Sequence, residues 1–122
     1  MNGYIDLIKS ANLEVIDHLT MGEYQGDLLM IVKKDNQFGM IVAGFGSCSG
    51  CDAFQSCRDD KRKLNKLRDK LCNGVIWKDI TSFISYLRTK KWRNEFYCGE
   101  EKLPEFINET IEKLLYTYLA KI

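Results

Sequence analysis

Hydrophobic positions in the first third of the chain form short continuous runs, which is the pattern of buried strands. Residues 28–32 and residues 40–43 are each wholly apolar, and a polar turn at residues 35–37 separates them. This arrangement predicts a β-hairpin whose strands lie at the centre of a sheet. A looser alternation over residues 13–19 predicts a first strand, and residues 4–9 suit one or two helical turns before it.

Apolar residues in the rest of the chain recur three and four positions apart, the spacing of one face of an α-helix. Asp60 and Asp79 precede the first two of these segments and are expected N-caps, because an aspartate side chain accepts hydrogen bonds from exposed helix amides. Residues 75–77 are expected to form a short fourth strand. The three apolar stripes consist of Leu64, Leu67 and Leu71; of Ile80, Phe83, Ile84 and Leu87; and of Leu103, Phe106, Ile107, Thr110, Ile111, Leu114, Leu115, Tyr118 and Leu119.

The order of these elements predicts an α+β fold, with an antiparallel sheet of three to four strands followed by helices packed on one face. The chain has 122 residues, 45% of them hydrophobic, which is enough for one core, so residues 1–122 are expected to form a single α+β domain. No apolar run approaches the roughly 20 residues of a membrane span. The first residues also lack the basic and apolar segments of a secretory signal. We therefore expect a cytoplasmic protein with no membrane partner.

The net charge of +1 conceals an uneven distribution of charge. Residues 58–93 contain twelve Lys/Arg and four Asp/Glu, a balance of +8, whereas the rest of the chain has a balance of −7. Segregated charge can steer a charged partner, although a solvated helix rich in lysine gives the same pattern. With Trp77, Trp92 and Tyr97 nearby, a basic and aromatic surface for nucleic acid is a further interpretation, although no helix-turn-helix or similar motif is evident. The cations expected to contact a partner are Lys61, Arg62, Lys66, Arg88, Lys90, Lys91 and Arg93.

Three of the five cysteines and three of the nine glycines lie within residues 44–57, between a predicted strand and a predicted helix. Cys48 and Cys51 form a Cys-x-x-Cys pair followed by Cys57, and these three are the candidate ligands of a structural zinc ion. The same pair before a helix also suits a thiol redox protein, since a helix N-terminus stabilises a thiolate. The third interpretation is a tight turn packed by small buried residues, with no cofactor. The residues leave all three open, and the packed turn is preferred.

The run Phe-Gly-Ser-Cys-Ser-Gly-Cys-Asp-Ala-Phe-Gln at residues 45–55 resembles a signature of small uncharacterised proteins from phages and Gram-positive bacteria. In those proteins a GSCSGCDAxQ-type block follows a strand hairpin. The resemblance extends upstream to the turn at residues 22–27 and downstream to Lys91, Trp92 and the final helix, so it covers most of the chain. It implies a phage or mobile-element origin and no mechanism.

No catalytic constellation is visible, and the single histidine, His18, lies on a predicted strand without a spacing that requires a partner nucleophile. We therefore expect a small non-catalytic binding protein that acts stoichiometrically on a host macromolecule, either a protein or a protein–nucleic-acid complex. Inhibition of a host defence is one form of that activity. The alternative is a zinc-stabilised or nucleic-acid-binding module that uses the basic residues 58–93. A Cys-x-x-Cys thiol redox protein is a further alternative.

Overall fold

The fold was described on a computed structural model of the chain, in which residues 2–22, 26–46, 57, 59–92 and 100–119 are described. Three strands come before most of the helical residues, which confirms the α+β class and the order of its elements. The elements are helix α1 (Asn2–Lys9), strands β1 (Glu14–Gly22), β2 (Gly26–Lys34) and β3 (Gln37–Phe45), helices α2 (Lys61–Asn73) and α3 (Ile80–Thr89), a 3₁₀ turn (Glu100–Lys102), helix α4 (Leu103–Leu114) and a π-helical turn (Leu115–Leu119).

The three strands form an antiparallel sheet in the order β1-β2-β3, so β2 is the central strand. Leu29 of β2 pairs with Leu19 on one side and with Val42 on the other. The register of β1 shifts between Val15 and Asp17, which is the signature of a β-bulge. The predicted hairpin between β2 and β3 is confirmed, and its turn contains Asp35 at a positive φ of 56°.

Both faces of the sheet are covered by helices, and the expectation that helices pack on one face is therefore wrong. Alternate residues of β2 point to opposite faces, so Leu29 and Ile31 enter one core while Leu28 and Met30 enter the other. The first core is completed by α3 and α4, and the second by α1 and α2. The unbroken apolar run of β2 follows from this double burial, because neither face of that strand meets water.

The expected fourth strand at residues 75–77 is also wrong. Val75 and Trp77 pack against the core while Ile76 is 74% exposed, an alternation that imitates a strand. In the described chain, pairing with β3 is confined to one isolated bridge at the next residue, Lys78. There the Phe38 amide donates to the Lys78 carbonyl at 2.7 Å, and the Lys78 amide donates back at 2.9 Å.

The ends of the helices follow the predicted caps closely. The Asp60 side chain accepts hydrogen bonds from the amides of Arg62 and Lys63, and the Asp79 side chain accepts one from the amide of Ser82. Helix α2 ends before Gly74, which has a φ of −80° and donates its amide to the Cys72 carbonyl. The last apolar stripe continues beyond α4, in a π-helical turn.

Candidate functional site

The structure divides the cations predicted to contact a partner into two groups. Lys61, Arg62 and Lys66 are exposed on α2, which packs on the face of the sheet that α1 also covers. Arg88 and Lys91 lie at the end of α3, on the opposite face. Residues 58–93 therefore do not form one continuous basic surface. Arg93 lies outside the described residues.

The first group lies on a shallowly packed helix. None of the thirteen described residues of α2 is fully buried, and its contact with the core consists of half-buried side chains such as Leu67 and Leu71. We call its outward side the α2 surface. It has no aromatic side chain, because the sequence of α2 contains none. The α2 surface is made of the exposed residues Lys61, Arg62, Lys63, Lys66 and Lys70.

The second group is interleaved with aromatic rings. The Nζ atoms of Lys78 and Lys90 lie 5.3 Å and 5.6 Å from the centroid of the Tyr86 ring, and Lys90 Nζ also lies 5.2 Å from the Trp92 ring. Each distance is within the range in which an ammonium group is attracted to the face of a ring. We call this the cation–aromatic surface. It is made of Lys78, Tyr86, Arg88, Lys90, Lys91 and Trp92.

The core holds the central ring of the cation–aromatic surface in place. The rings of Tyr86 and Phe83 are stacked, with centroids 6.3 Å apart and an interplanar angle of 22°. Phe83 is only 1% exposed and stacks in turn on the buried Phe38, at 6.1 Å. Since the inner rings are fixed by close packing, the half-buried ring of Tyr86 is held in a preorganised position at the edge of the core.

A cavity lies at each end of the cation–aromatic surface. One, of about 200 Å³, is bounded by Ile76, Lys78 and Tyr86. The other, of about 260 Å³, lies between α3 and α4, and Arg88 and Lys90 form part of its wall. Both combine an apolar interior with a cationic wall, so each can accept a flat apolar group attached to an anionic one.

The segment that carries the cation–aromatic surface has an excess of positive charge. Between Lys78 and Trp92 the sequence contains four cations and one carboxylate, that of Asp79. The Asp79 carboxylate caps α3 by accepting a hydrogen bond from the backbone amide of Ser82. This hydrogen bond has the larger effect, and together with one from the Ser82 side chain it lowers the pKa of Asp79. The surface therefore favours an anionic partner.

A larger cavity, of about 430 Å³, lies beside the bridge between Phe38 and Lys78, and Lys33 and Tyr118 form part of its wall. Its polar groups already serve the fold: Lys33 Nζ donates to the Asp35 carbonyl, and the Tyr118 hydroxyl donates to Glu14 Oε2 at 3.1 Å. Burial, with the carboxylate of Glu14 beside it, raises the pKa of Tyr118. These contacts explain the polar groups of this cavity as structural.

The predicted zinc site falls largely outside the described residues. Cys48 and Cys51 are not among them, and Cys57 is half-buried just before α2. Cys72 packs against the second core, and this burial raises the pKa of its thiol. In the part of the chain that the structure describes, no three His, Cys, Asp or Glu side chains are grouped as metal ligands would be. The zinc, thiol redox and packed-turn interpretations stay predictions.

Lys78 and Tyr86 were missed in the sequence as members of a surface. A signal for one contact was present, since Tyr86 and Lys90 are four residues apart and side chains at that spacing are neighbours on a helix. No sequence signal was available for Lys78, because it meets Tyr86 through its bridge to β3.

Comparison with protein-family models, curated proteins and solved structures gave no match to this chain. Among the described residues, no helix has the length and apolar character needed to cross a membrane.

Proposed function

We propose that this chain is a small non-catalytic binding protein that acts stoichiometrically on an acidic macromolecule, using the cation–aromatic surface as its contact. The observation that carries this proposal is the placement of Lys78 and Lys90 over the ring of Tyr86, itself stacked on the core. Trp, Tyr and Arg are the side chains in which binding energy is usually concentrated, and this surface contains Trp92, Tyr86 and Arg88. The partner we propose is a host protein or a protein–nucleic-acid complex in the cytoplasm.

Three groups in the described ranges have shifted pKa values, Cys72, Asp79 and Tyr118, and each shift has a structural cause in burial or helix capping. The non-catalytic part of the proposal rests on the sequence, in which no catalytic constellation is visible. A phage origin, with inhibition of a host defence as one form of the activity, is part of the proposal and depends on the resemblance of residues 45–55.

Matched charge reversals on the two basic surfaces test the proposal. Arg88→Glu with Lys91→Glu changes the cation–aromatic surface, and Lys61→Glu with Arg62→Glu makes the same change of charge on the α2 surface. Tagged wild-type and variant chains are incubated with bacterial lysate, with and without nuclease, and bound molecules are quantified. We expect stoichiometric recovery of one partner by the wild type, and by the α2 variant, but not by the Arg88 and Lys91 variant.

Two results would contradict this proposal. Recovery of no partner by the wild type under either condition would remove the binding function. Equal recovery by the Arg88 and Lys91 variant would remove the cation–aromatic surface as the contact. Thermal melting of both variants shows whether any loss reflects unfolding, which we do not expect because all four substituted side chains are exposed.

Metal analysis with a thiol count tests the zinc alternative. If the packed turn is correct, the purified protein contains no stoichiometric zinc and all five cysteines react as thiols after denaturation. One equivalent of tightly bound zinc, with protected Cys48, Cys51 and Cys57, would instead support the zinc-stabilised module.

A further inference from the structure

We infer that the cation–aromatic surface binds single-stranded nucleic acid. This inference depends on the proposed binding function and names the chemical class of its partner. Proteins that bind single strands combine a cationic surface for the phosphates with aromatic rings on which bases stack. Here the groups follow one another in a row. Lys78 Nζ lies 5.3 Å from the Tyr86 ring, the Tyr86 ring lies 5.6 Å from Lys90 Nζ, and Lys90 Nζ lies 5.2 Å from the Trp92 ring.

The arrangement separates the two kinds of contact that a strand requires. Lys90 Nζ lies near both rings, so a strand whose base stacks on Trp92 would bring its phosphate to that ammonium group. Arg88 and Lys91 are exposed on the same stretch and extend the cationic wall. Stacking on a ring and neutralisation of phosphates are independent of base identity, so we expect little sequence preference.

The size of the surface suits a short strand. Helix α3 has ten residues and is therefore about 15 Å long. A length of this order corresponds to about four nucleotides, the lower end of the site sizes found in single-strand binders. The cavities of about 200 Å³ and 260 Å³ at its ends provide space for bases turned away from the strand.

Duplex nucleic acid fits this surface less well. In a duplex the bases are stacked on each other, so their faces cannot stack on Trp92. A protein usually reads duplex DNA with a helix that projects into the major groove. Helix α3 buries Phe83, Ile84 and Leu87 against the sheet and α4, and its exposed side carries one cation, Arg88, for the two phosphate backbones that border a groove.

The α2 surface lacks an aromatic ring on which a base could stack. It presents five exposed cations without an aromatic ring, so its attraction for a strand is purely ionic. The α2 surface also lies on the opposite side of the sheet from the cation–aromatic surface. At moderate ionic strength the Debye length is about 10 Å, so charges on α2 have little influence on a strand bound at the cation–aromatic surface. The α2 surface therefore provides a matched negative control within the same molecule.

Fluorescence anisotropy with labelled oligonucleotides tests the inference on the full chain. The probes are oligothymidylate and oligouridylate of about 15 nucleotides and a duplex of the same length. We expect the wild type to bind both single strands at about 50 mM salt, with affinity falling as salt increases, and to bind the duplex more weakly. Binding should also change the intrinsic tryptophan fluorescence, because Trp92 is a contact.

Ring and charge variants locate the site. Trp92→Leu should weaken single-strand binding by about 5- to 150-fold, the loss expected for one base–aromatic stack, whereas Trp92→Phe should restore most of it. Lys61→Ala with Lys66→Ala should leave the affinity within about threefold at moderate salt. Melting curves recorded for each variant identify any unfolding. Leucine and phenylalanine both keep apolar packing at residue 92, but only phenylalanine keeps an aromatic face, so the difference between the two variants measures the contribution of the ring.

Three results would overturn the inference. The first is absence of binding to both single strands at low salt, and the second is tighter binding to the duplex. The third is an affinity that the α2 substitutions reduce and Trp92→Leu does not. If oligonucleotides fail to bind while nuclease-treated lysate still yields a partner that depends on Arg88 and Lys91, the proposed function stands and its partner is an acidic protein surface.

Discussion

Helices α2 and α3 carry the same sign of charge on opposite faces of one sheet, but they are anchored differently. Helix α2 has six cations and one carboxylate among thirteen residues, none of them fully buried. Helix α3 has one cation within it, yet it buries Phe83, Ile84 and Leu87 and presents Tyr86 from a stack of core rings. The number of charges alone therefore does not describe how the two surfaces differ. Rigid support and aromatic contacts distinguish the two.

The difference in anchoring also has a thermodynamic consequence. Helices in proteins are held mainly by burial of an apolar face, and regions with little buried area open at lower free energy than the core. Helix α2 should therefore open locally more often than α3. The predictions that follow either sharpen this contrast or show that it is wrong.

Truncation of one leucine on each helix compares the two faces directly. Leu87 is 2% exposed on α3, whereas Leu67 is half-buried on α2. Leu87→Ala should lower the free energy of unfolding by about 2–5 kcal/mol, the usual cost of a buried leucine. Leu67→Ala should cost about 1 kcal/mol, because less apolar area returns to water. Urea denaturation of both variants and the wild type measures the two values.

The leucine comparison has a clear contrary outcome. Equal losses for Leu87→Ala and Leu67→Ala would mean that α2 is anchored as firmly as α3, and the thermodynamic contrast would fail. Leu87 lies in the last turn of α3 and Leu67 in the middle of α2. The difference in helix propensity between leucine and alanine is well below about 1 kcal/mol, so it cannot produce the expected difference between the two variants.

Local features of the fold could be predicted from the sequence, whereas the division of its surface could not. Asp60 and Asp79 cap helices as predicted, because capping depends on a few adjacent residues. The run at residues 28–32 indicated a buried strand, but coverage of both its faces depends on helices far along the chain. Residues 75–77 alternate like a strand, and their failure to pair was not visible in that alternation.

The candidate site shows the same contrast between features set by nearby residues and features set by distant parts of the chain. The predicted cations that the structure describes are exposed, except for the half-buried Lys90. Their separation onto two faces is set by which core each helix joins. The stack of Tyr86 on Phe83 joins residues three apart on one helix and was visible in their spacing, whereas the stack of Phe83 on Phe38 depends on three-dimensional packing. The cysteine block at residues 44–57 had the strongest sequence signal, and apart from residues 44–46 and Cys57 it lies outside the described residues.

The next largest loss of stability is expected from a substitution at the contact between β3 and the segment that joins α2 to α3. A Cβ atom added at Gly39 would overlap Val75 Cγ1, whereas one added at Gly44 would have no neighbour nearer than 3.9 Å. Gly39→Ala should cost about 1–3 kcal/mol of stability through overpacking, because a β-branched valine moves little. Gly44→Ala, on the same strand, should have little effect.

Removal of the overlapping methyl group tests the cause. If the steric contact is responsible, Gly39→Ala should cost much less when combined with Val75→Ala than it does alone. Thermal or urea denaturation of the two single variants and the double variant measures this coupling. Additive effects would show that Val75 is not the obstacle and that the segment packs more loosely over β3 than described.

Thr110 of α4 is a polar residue in the interior of the protein. It is fully buried on α4, and its hydroxyl oxygen has no hydrogen-bond partner among the described residues. Thr110→Val replaces this hydroxyl with a methyl group of similar shape and should stabilise the fold by about 1 kcal/mol. Thr110→Ser keeps the hydroxyl, loses a methyl group and should destabilise it by about 0.8 kcal/mol. A destabilised valine variant would show that the hydroxyl is bonded in solution.

The cap of α3 gives the smallest effect, and it appears only in acid. Because hydrogen bonds from Ser82 lower the pKa of Asp79 in the folded state, its contribution to stability is complete above the unfolded pKa of about 3.9. That contribution is lost as the pH falls through the lower folded value. Asp79→Asn keeps a capping side chain but cannot titrate. The wild type should therefore lose more melting temperature than Asp79→Asn between about pH 5 and pH 2.

Parallel melting curves for the wild type and Asp79→Asn over this range would contradict the assignment. The result also bears on the contrast between the helices, because α3 carries the rings of the cation–aromatic surface. Since α3 is held chiefly by Phe83, Ile84 and Leu87 in the core, protonation of its cap should loosen only its first turn. Binding through Trp92, beyond the far end of α3, should therefore persist at an acidic pH at which the stability difference is already measurable.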